Sequence, residues 1–438
     1  MASITQHVRQ IKSDLSAHLR PDLILAACQH ARYDWRERIL GPVLTVQAFL
    51  LQVLHGNTAM TNVARLVGVD FTPSAYCQAR RRLPLAVLKI LLRRLVTGAR
   101  DATAEVARWR GHRTFLVDGS SCSMPDTPAL QRCFGQPSGQ RPGCGFPVAH
   151  LLALFDAHTG LLVDVLASSW RLHDLVRVGE LHPHLQPGDL LLADRGFCSF
   201  AHLALLIQRG LPAVIRVHGQ RRVQFGQPYR PYAGVSWPVR LGRDDQLTLW
   251  RKTAVPSRVM SRAAYDALPE LILVRELRYR VSRPGYRTRC VTLVTTLLNP
   301  QTYPAAGLAE LYQQRWQAET NLRHLKETLG MRVLHSRSVA GFHKELLAFA
   351  LVYNLVCLLR TAVARELGVA PARVSFVDAL RALRHAPRRG LPRRLVCNPM
   401  RPGRYEPRVR KRRPLQYSLM TKPRHELRKA LMHETTTA

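Results

Sequence analysis

Tyr312-Gln-Gln-Arg315-Trp-Gln-Ala-Glu319-Thr-Asn-Leu-Arg323-His-Leu-Lys326 is the stretch on which the reading of this chain turns. It holds no Pro or Gly and is rich in strong helix formers, which predicts a helix from about 305 to 329. Tyr312 and Lys326 lie seven positions either side of Glu319, and Arg315 and Arg323 four. At the helical period all four fall near the azimuth of Glu319. One face thus gathers a carboxylate, three cations and a phenol, beside a core stripe of Leu311, Leu322, Leu325 and Leu329. Such a face has two readings. It solubilises an exposed helix, each ion pair contributing a few tenths of a kcal/mol. Or the carboxylate holds a metal ion while the cations and the phenol grip phosphate oxygens. The second needs carboxylate partners elsewhere.

Two stretches offer them. Thr114-Phe-Leu-Val-Asp118-Gly119 and Leu190-Leu-Leu-Ala-Asp194-Arg195-Gly196-Phe197 share one pattern: a short apolar strand, a terminal Asp, and a Gly within two residues. Gly at such a place lets a ligand or backbone approach closely. Either Asp alone reads as an ordinary strand-end residue. With Glu319 they make three hard-oxygen donors, suited to Mg²⁺ or Mn²⁺. Two such ions about 4 Å apart serve in-line phosphoryl transfer.

The composition agrees. The 438 residues carry 65 Lys and Arg against 29 Asp and Glu, a net charge of +36. A polyanionic partner is the simplest cause, nucleic acid ahead of a membrane surface. A GC-rich genome would explain Arg over Lys, but not the shortage of acids. The nine cysteines include no Cys-x-x-Cys, which suggests reduced thiols and a cytoplasmic protein. Neither Cys122, Cys133 and Cys144 nor His182 and His184 read as a zinc site. The N-terminus lacks a signal-peptide pattern. The longest apolar run, Leu346 to Leu359, is too short for a bilayer and reads as a buried helix, so no membrane partner is expected.

In chain order, residues 1–105 read as helical: 42–54, 58–67, a basic helix capped by Thr72, and 85–96. They suit a DNA-docking helix-turn-helix and a small helical bundle equally. Strands follow at 114–118, 146–155, 161–167, 190–194 and 213–217, with a helix at 199–208. From 218 to 300 the chain reads as β-rich, with a long hairpin of 271–281 and 287–297 turning at Pro284-Gly285. Residues 301–370 hold the Glu319 helix and a second long helix, 342–367. Residues 371–438 end in a tail rich in Arg and Pro, including Arg408-Val-Arg-Lys-Arg-Arg413, electrostatically sticky towards polyanions.

Together these pieces resemble the IS4-type DDE transposases, the group of the Tn5 and Tn10 enzymes. The resemblance is carried by Asp118-Gly, by Asp194-Arg-Gly-Phe197 and by a Tyr-x2-Arg-x3-Glu-x6-Lys helix met by Tyr312, Arg315, Glu319 and Lys326. It extends through Asp118 to Pro128, Leu293 to Pro300 and Leu329 to Ser338, covering about residues 70–365. Three motifs in order are specific. The resemblance implies an α/β, RNase H-like core in two parts, 106–217 and 301–370, interrupted by the β-rich insertion. It implies Asp118, Asp194 and Glu319 as the metal-binding catalytic triad for Mg²⁺, with Mn²⁺ as substitute. Tyr312, Arg315 and Lys326 would hold transposon-end phosphates, and Arg323 and Arg195 face the same region. The partners would be duplex DNA, as inverted repeats and target, and a second copy of the chain in a synaptic homodimer. One departure concerns a Trp that Tn5-like members place before the helix to capture a flipped base during hairpin formation. Val291 and Thr292 stand there, while Trp237 and Trp250 read as core of the insertion. The rival readings are an RNase H-like nuclease that does not join strands and a DNA-binding protein with a decayed core, the latter opposed by the presence of all three acids.

Overall fold

Among the described residues five helices come first: α1 (Pro21–His30), α2 (Pro42–Leu54), α3 (Met60–Val67), α4 (Pro73–Arg82) and α5 (Leu85–Asp101). Pro opens α1, α2 and α4, where its missing N–H costs nothing. The Thr72 hydroxyl caps α4 by accepting from Ala75 N at 3.1 Å, and Gly68 ends α3 in the left-handed conformation. The computed structural model describes residues 20–101, 108–225, 229–232, 235–253, 260–281, 290–385, 395–399 and 420–436. The turn at Pro284-Gly285 and the basic run 408–413 lie outside them.

The strands then build one large sheet. In order come β1 (Arg108–Trp109), β2 (His112–Ser123), α6 (Pro128–Phe134), β3 (Val148–Asp156), β4 (Leu162–Ser169), α7 (Asp174–Arg177), β5 (Leu190–Ala193), α8 (Phe200–Gln208) and β6 (Ala213–Arg216). After these come β7 (Tyr229–Tyr232), β8 (Val235–Trp237), β9 (Val239–Gly242), β10 (Asp245–Arg251), α9 (Arg262–Asp266), β11 (Leu271–Arg280) and β12 (Cys290–Thr295). The sheet runs β4-β3-β2-β5-β6-β12-β11-β10-β9, with β1 also paired to β2 and with β7 and β8 forming a separate pair. β2, β3 and β4 are antiparallel, whereas β5 lies parallel to both β2 and β6. Leu190–Ala193 is buried at every position, as a central parallel strand requires. β12 pairs antiparallel with β6, so strands of the 218–300 segment extend the same sheet.

Two elements differ from the sequence expectation. β2 does not stop at Asp118 but runs on to Ser123, paired with β3 along Asp118↔Ala153 to Ser123↔Val148. The run Gly119-Ser-Ser-Cys-Ser has no apolar alternation to announce a strand; its partner β3 supplies the ladder. The predicted 305–329 helix is three pieces: α10 (Ala305–Gln313), α11 (Trp316–Arg323) and a π-helical turn, His324–Thr328. Between α10 and α11 the bonds tighten to i→i−3, as in Arg315 N→Tyr312 O and Ala318 N→Arg315 O. In the π turn they loosen to i→i−5, Leu329 N→His324 O.

α12 (Val339–Leu367), α13 (Phe376–His385) and α14 (Arg424–Thr436) complete the described helices. α12 is the one described helix long and apolar enough to cross a membrane, and it lies buried against α2, α5, β4 and α13. Its Asn354 exchanges hydrogen bonds with Leu162 N and O, and Tyr353 donates to Gly160 O. Buried Glu345 accepts from Asn57 Nδ2, His335 N and Ser336 N, tying the N-terminal helices to the core. Trp250 is core as expected, its indole donating to Glu276 Oε1.

Candidate active site

The parallel pairing of β2 with β5 ends at Val117↔Ala193. The next residues, Asp118 and Asp194, stand where the two strands part. Asp118 Oδ1 accepts from Gly119 N at 2.9 Å. Asp194 turns the chain into a 3₁₀ turn, Arg195–Phe197, and its Oδ1 accepts from Gly196 N at 2.8 Å. That turn is braced from behind. His202 Nδ1 donates to Phe197 O at 2.8 Å, which leaves its Nε2 to accept from His182 Nε2 at 3.2 Å. Burial pushes the two imidazoles down to about 4 and about 2, so both stay neutral.

α11 lies against β2 and brings Glu319 to the same place. After the π turn, Gly330 takes a positive φ of 88° and the chain returns to β2. There Ser123 N donates to Arg332 O and Leu334 N to Ser123 O, locking the helix over the strand. Arg315 bridges two of the acids, with Nη2 2.6 Å from Glu319 Oε1 and Nη1 3.8 Å from Asp118 Oδ2. Burial pushes the Asp118 carboxyl up to about 6; Arg315 pulls it down, and Asp194 and Glu319 raise it further. These couplings place the three acids in one electrostatic neighbourhood. Glu319 keeps 41% of its side chain exposed and Arg315 only 12%, so the opening lies on the Glu319 side.

The other expected residues are distributed around this centre. Tyr312 is buried and donates its hydroxyl to Ala193 O at 3.2 Å, directly before Asp194; burial raises its pKa. Lys326 sits in the π turn, where its charge acts on Cys122, farther along β2. Arg195 is exposed on the turn after Asp194. Arg323, one turn after Glu319 on α11, also lines a cavity of about 410 Å³ with Asn321, His324, Arg360 and Phe376. Sequence reasoning passed over Asp174, the first residue of α7. Its Oδ2 occupies the position a Cβ on Gly119 would need. Burial raises its pKa, the imidazoles of His150 and His173 lower it, and Asp194 raises it. The His-Asp pair at 173–174 was its only sequence signal.

The donor set suits a divalent cation of the Mg²⁺ kind. Its oxygens are hard, and Asp118 is held in a buried place beside further acids with Arg315 as the balancing charge. Among the described residues no three His, Cys, Asp or Glu side chains are already drawn into one metal shell. Arg315 stands between two of them.

A family model described as the transposase DDE domain matches residues 109–355, more than half of the chain. The chain belongs to that family, and its function is that of a DNA transposase. It is 24% identical over 364 residues to the transposase InsG for insertion sequence element IS4 of Escherichia coli (strain K12), spanning 79% of this chain and 78% of that protein. Among solved structures it is similar to a piggyBac transposase synaptic complex with hairpin DNA, at a TM-score of 0.44 and 10% identity, covering 88% of this chain and 80% of that one.

Proposed function

We propose that Asp118, Asp194 and Glu319 are the catalytic triad of an RNase H-like core that cuts DNA at the ends of its own element and joins the freed 3′-hydroxyls to target DNA. The observation that carries this is the fork at Val117↔Ala193, which delivers two aspartates side by side beneath the glutamate of α11. The sheet supports the RNase H-like reading, with three antiparallel strands followed by two parallel ones. The core would span 106–217 and 301–370, with 218–300 as its insertion and the N-terminal helices and basic tail as DNA contacts. Mg²⁺, with Mn²⁺ in its place, would supply Lewis-acid stabilisation and a more acidic water or hydroxyl when bound.

The chain's own residues do the rest. The three carboxylates would hold the cation, whose charge would offset the burial and the neighbouring acids that raise Asp118. Arg315, no longer needed between Asp118 and Glu319, turns its planar guanidinium to a phosphate, which it can grip with two parallel bonds. Tyr312 fixes Ala193 O and so the exit of Asp194 from the sheet. Lys326, Arg323 and Arg195 hold the phosphates on either side of the scissile bond. Two copies would bring two element ends together, in the cytoplasm on chromosomal DNA.

The test is a purified-protein reaction with a duplex carrying the element end, a supercoiled target and Mg²⁺. Cleavage followed by covalent joining to the target is expected. Cleavage without joining would make the protein a nuclease.

A further inference from the structure

We infer that Asp174 is a fourth acid of this cleft, a positioning residue that orients the shell of the cation held by Asp118 and Asp194; the inference rests on the triad reading above. Three independent features lead there.

The first is Gly119. Its φ is not in the left-handed region, and β2 runs through it as an ordinary strand, so backbone conformation does not demand glycine. The space does. A Cβ at this position would overlap Asp174 Oδ2. The missing side chain is the slot through which the Asp174 carboxylate reaches β2, one residue from Asp118.

The second is the state of that carboxylate. Asp174 Oδ1 is buried and accepts no hydrogen bond. Among the described residues its ion-pair neighbour is the imidazole of His150, whose Nδ1 is 3.8 Å away and bonds Leu172 O at 3.1 Å. Among the described residues no Lys or Arg forms an ion pair with Asp174. An acid oxygen is thus held out of water with its hydrogen-bonding capacity unused, which is costly unless something else comes to it.

The third is how the residue is held there. α7 packs on both β3 and the Arg195–Phe197 turn that carries Asp194. His173 Nδ1 accepts from Leu175 N and starts the turn, and the His150 ring stands edge-on to Trp170 at 4.4 Å between centroids. The carboxylate is clamped between the strand of one catalytic aspartate and the turn of the other. A group so placed, with free lone pairs, suits the bound waters of a divalent cation. Partners of that kind typically change metal affinity by about 10- to 100-fold when removed.

The experiment uses the full chain and Mn²⁺ as the probe. Mn²⁺ affinity is measured by calorimetry without DNA for wild type, Asp174→Asn, Gly119→Ala and Asp118→Asn, with thermal unfolding of the metal-free proteins alongside. Asp174→Asn keeps the shape and removes the charge; Gly119→Ala keeps the charge and displaces it. Both are expected to weaken Mn²⁺ about tenfold or more. Cleavage by Asp174→Asn should need correspondingly more Mg²⁺ and approach the wild-type rate at saturation. A change of less than threefold in Mn²⁺ affinity for Asp174→Asn, with Asp118→Asn clearly impaired, overturns the role of Asp174 and leaves the triad standing. Undiminished Mn²⁺ binding by Asp118→Asn overturns the triad reading itself.

Discussion

Asp118 and Asp194 directly follow the last register pair of the parallel β2–β5 ladder, Val117 opposite Ala193. Beyond that pair β5 ends in a turn while β2 continues against β3, joined again on its other edge only at Ser123 by the Arg332–Leu334 segment. The two carboxylates therefore stand at the one place where the sheet opens between β2 and β5, and α11 covers β2 from the side.

The triad assignment predicts that Asp118→Ala, Asp194→Ala and Glu319→Ala each abolish cleavage while largely keeping affinity for element ends. The acids repel phosphate unless metal is present, so their removal does not weaken binding. Single-turnover cleavage and gel-shift titration check this. Wild-type cleavage by any one variant would strike that residue from the triad.

The raised pKa of Asp118 has a stability consequence with a definite sign. Its folded value, about 6, lies above the ordinary 3.8, so between the two the native state binds the proton more tightly than the unfolded chain. Stability of the metal-free protein should fall as pH rises from about 4 through about 6 and stay lower above. Asp118→Asn removes this penalty. It should be more stable than wild type at pH 7.5 by about 1–3 kcal/mol, the advantage vanishing near pH 4. Denaturant unfolding with a chelator present checks it; an advantage independent of pH would assign the effect to packing.

The proposed mechanism gives Arg315 two roles in sequence. Without metal it pairs with Glu319 and faces Asp118, so Arg315→Ala should lower stability in chelator and recover much of the loss in Mg²⁺. Cleavage should fall by orders of magnitude even in Mg²⁺, because small misplacements of the scissile region are costly in rate. Arg315→Lys should also be impaired, lacking the two-pronged contact. Lys326→Ala is expected to fold normally and cleave slowly. A control at His324, stacked on Phe376 away from the cleft, should leave cleavage intact. Full activity in Arg315→Ala would remove the phosphate grip.

Tyr312→Phe isolates one hydrogen bond. Loss of the bond to Ala193 O should cost about 1 kcal/mol of stability. It should slow cleavage with unchanged affinity for element ends, since the hydroxyl acts through the backbone before Asp194. Weaker end binding with unchanged stability would instead make Tyr312 a direct phosphate contact.

Charge makes the final prediction. Affinity for arbitrary duplex should fall steeply with salt, as each neutralised phosphate releases counterions. Removing everything after Pro387 should lower that affinity and flatten the slope. An unchanged slope would exclude the tail as a DNA contact.

The sequence by itself determined the elements whose signal is local. The capped start at Thr72, the helix at 199–208, the strand at 190–194 and the long buried helix expected at 342–367 all follow from caps and apolar runs read within a few residues. The three candidate acids stand out in the sequence for the same reason: each lies in a short motif of fixed spacing. What neighbours impose was not legible. The extension of β2 to Ser123 depends on β3, and the breaks at Gln314 and His324 have no Pro or Gly to announce them in the sequence. The break at His324 changes the azimuth that an ideal helix assigns to Lys326, whose charge acts on Cys122, whereas Arg323 shares the unbroken α11 with Glu319. Gly119 shows the division most plainly. Sequence marks it as a point of close approach; only the tertiary structure decides that the approaching group is the carboxylate of Asp174, because 55 residues of chain must fold before the two can meet.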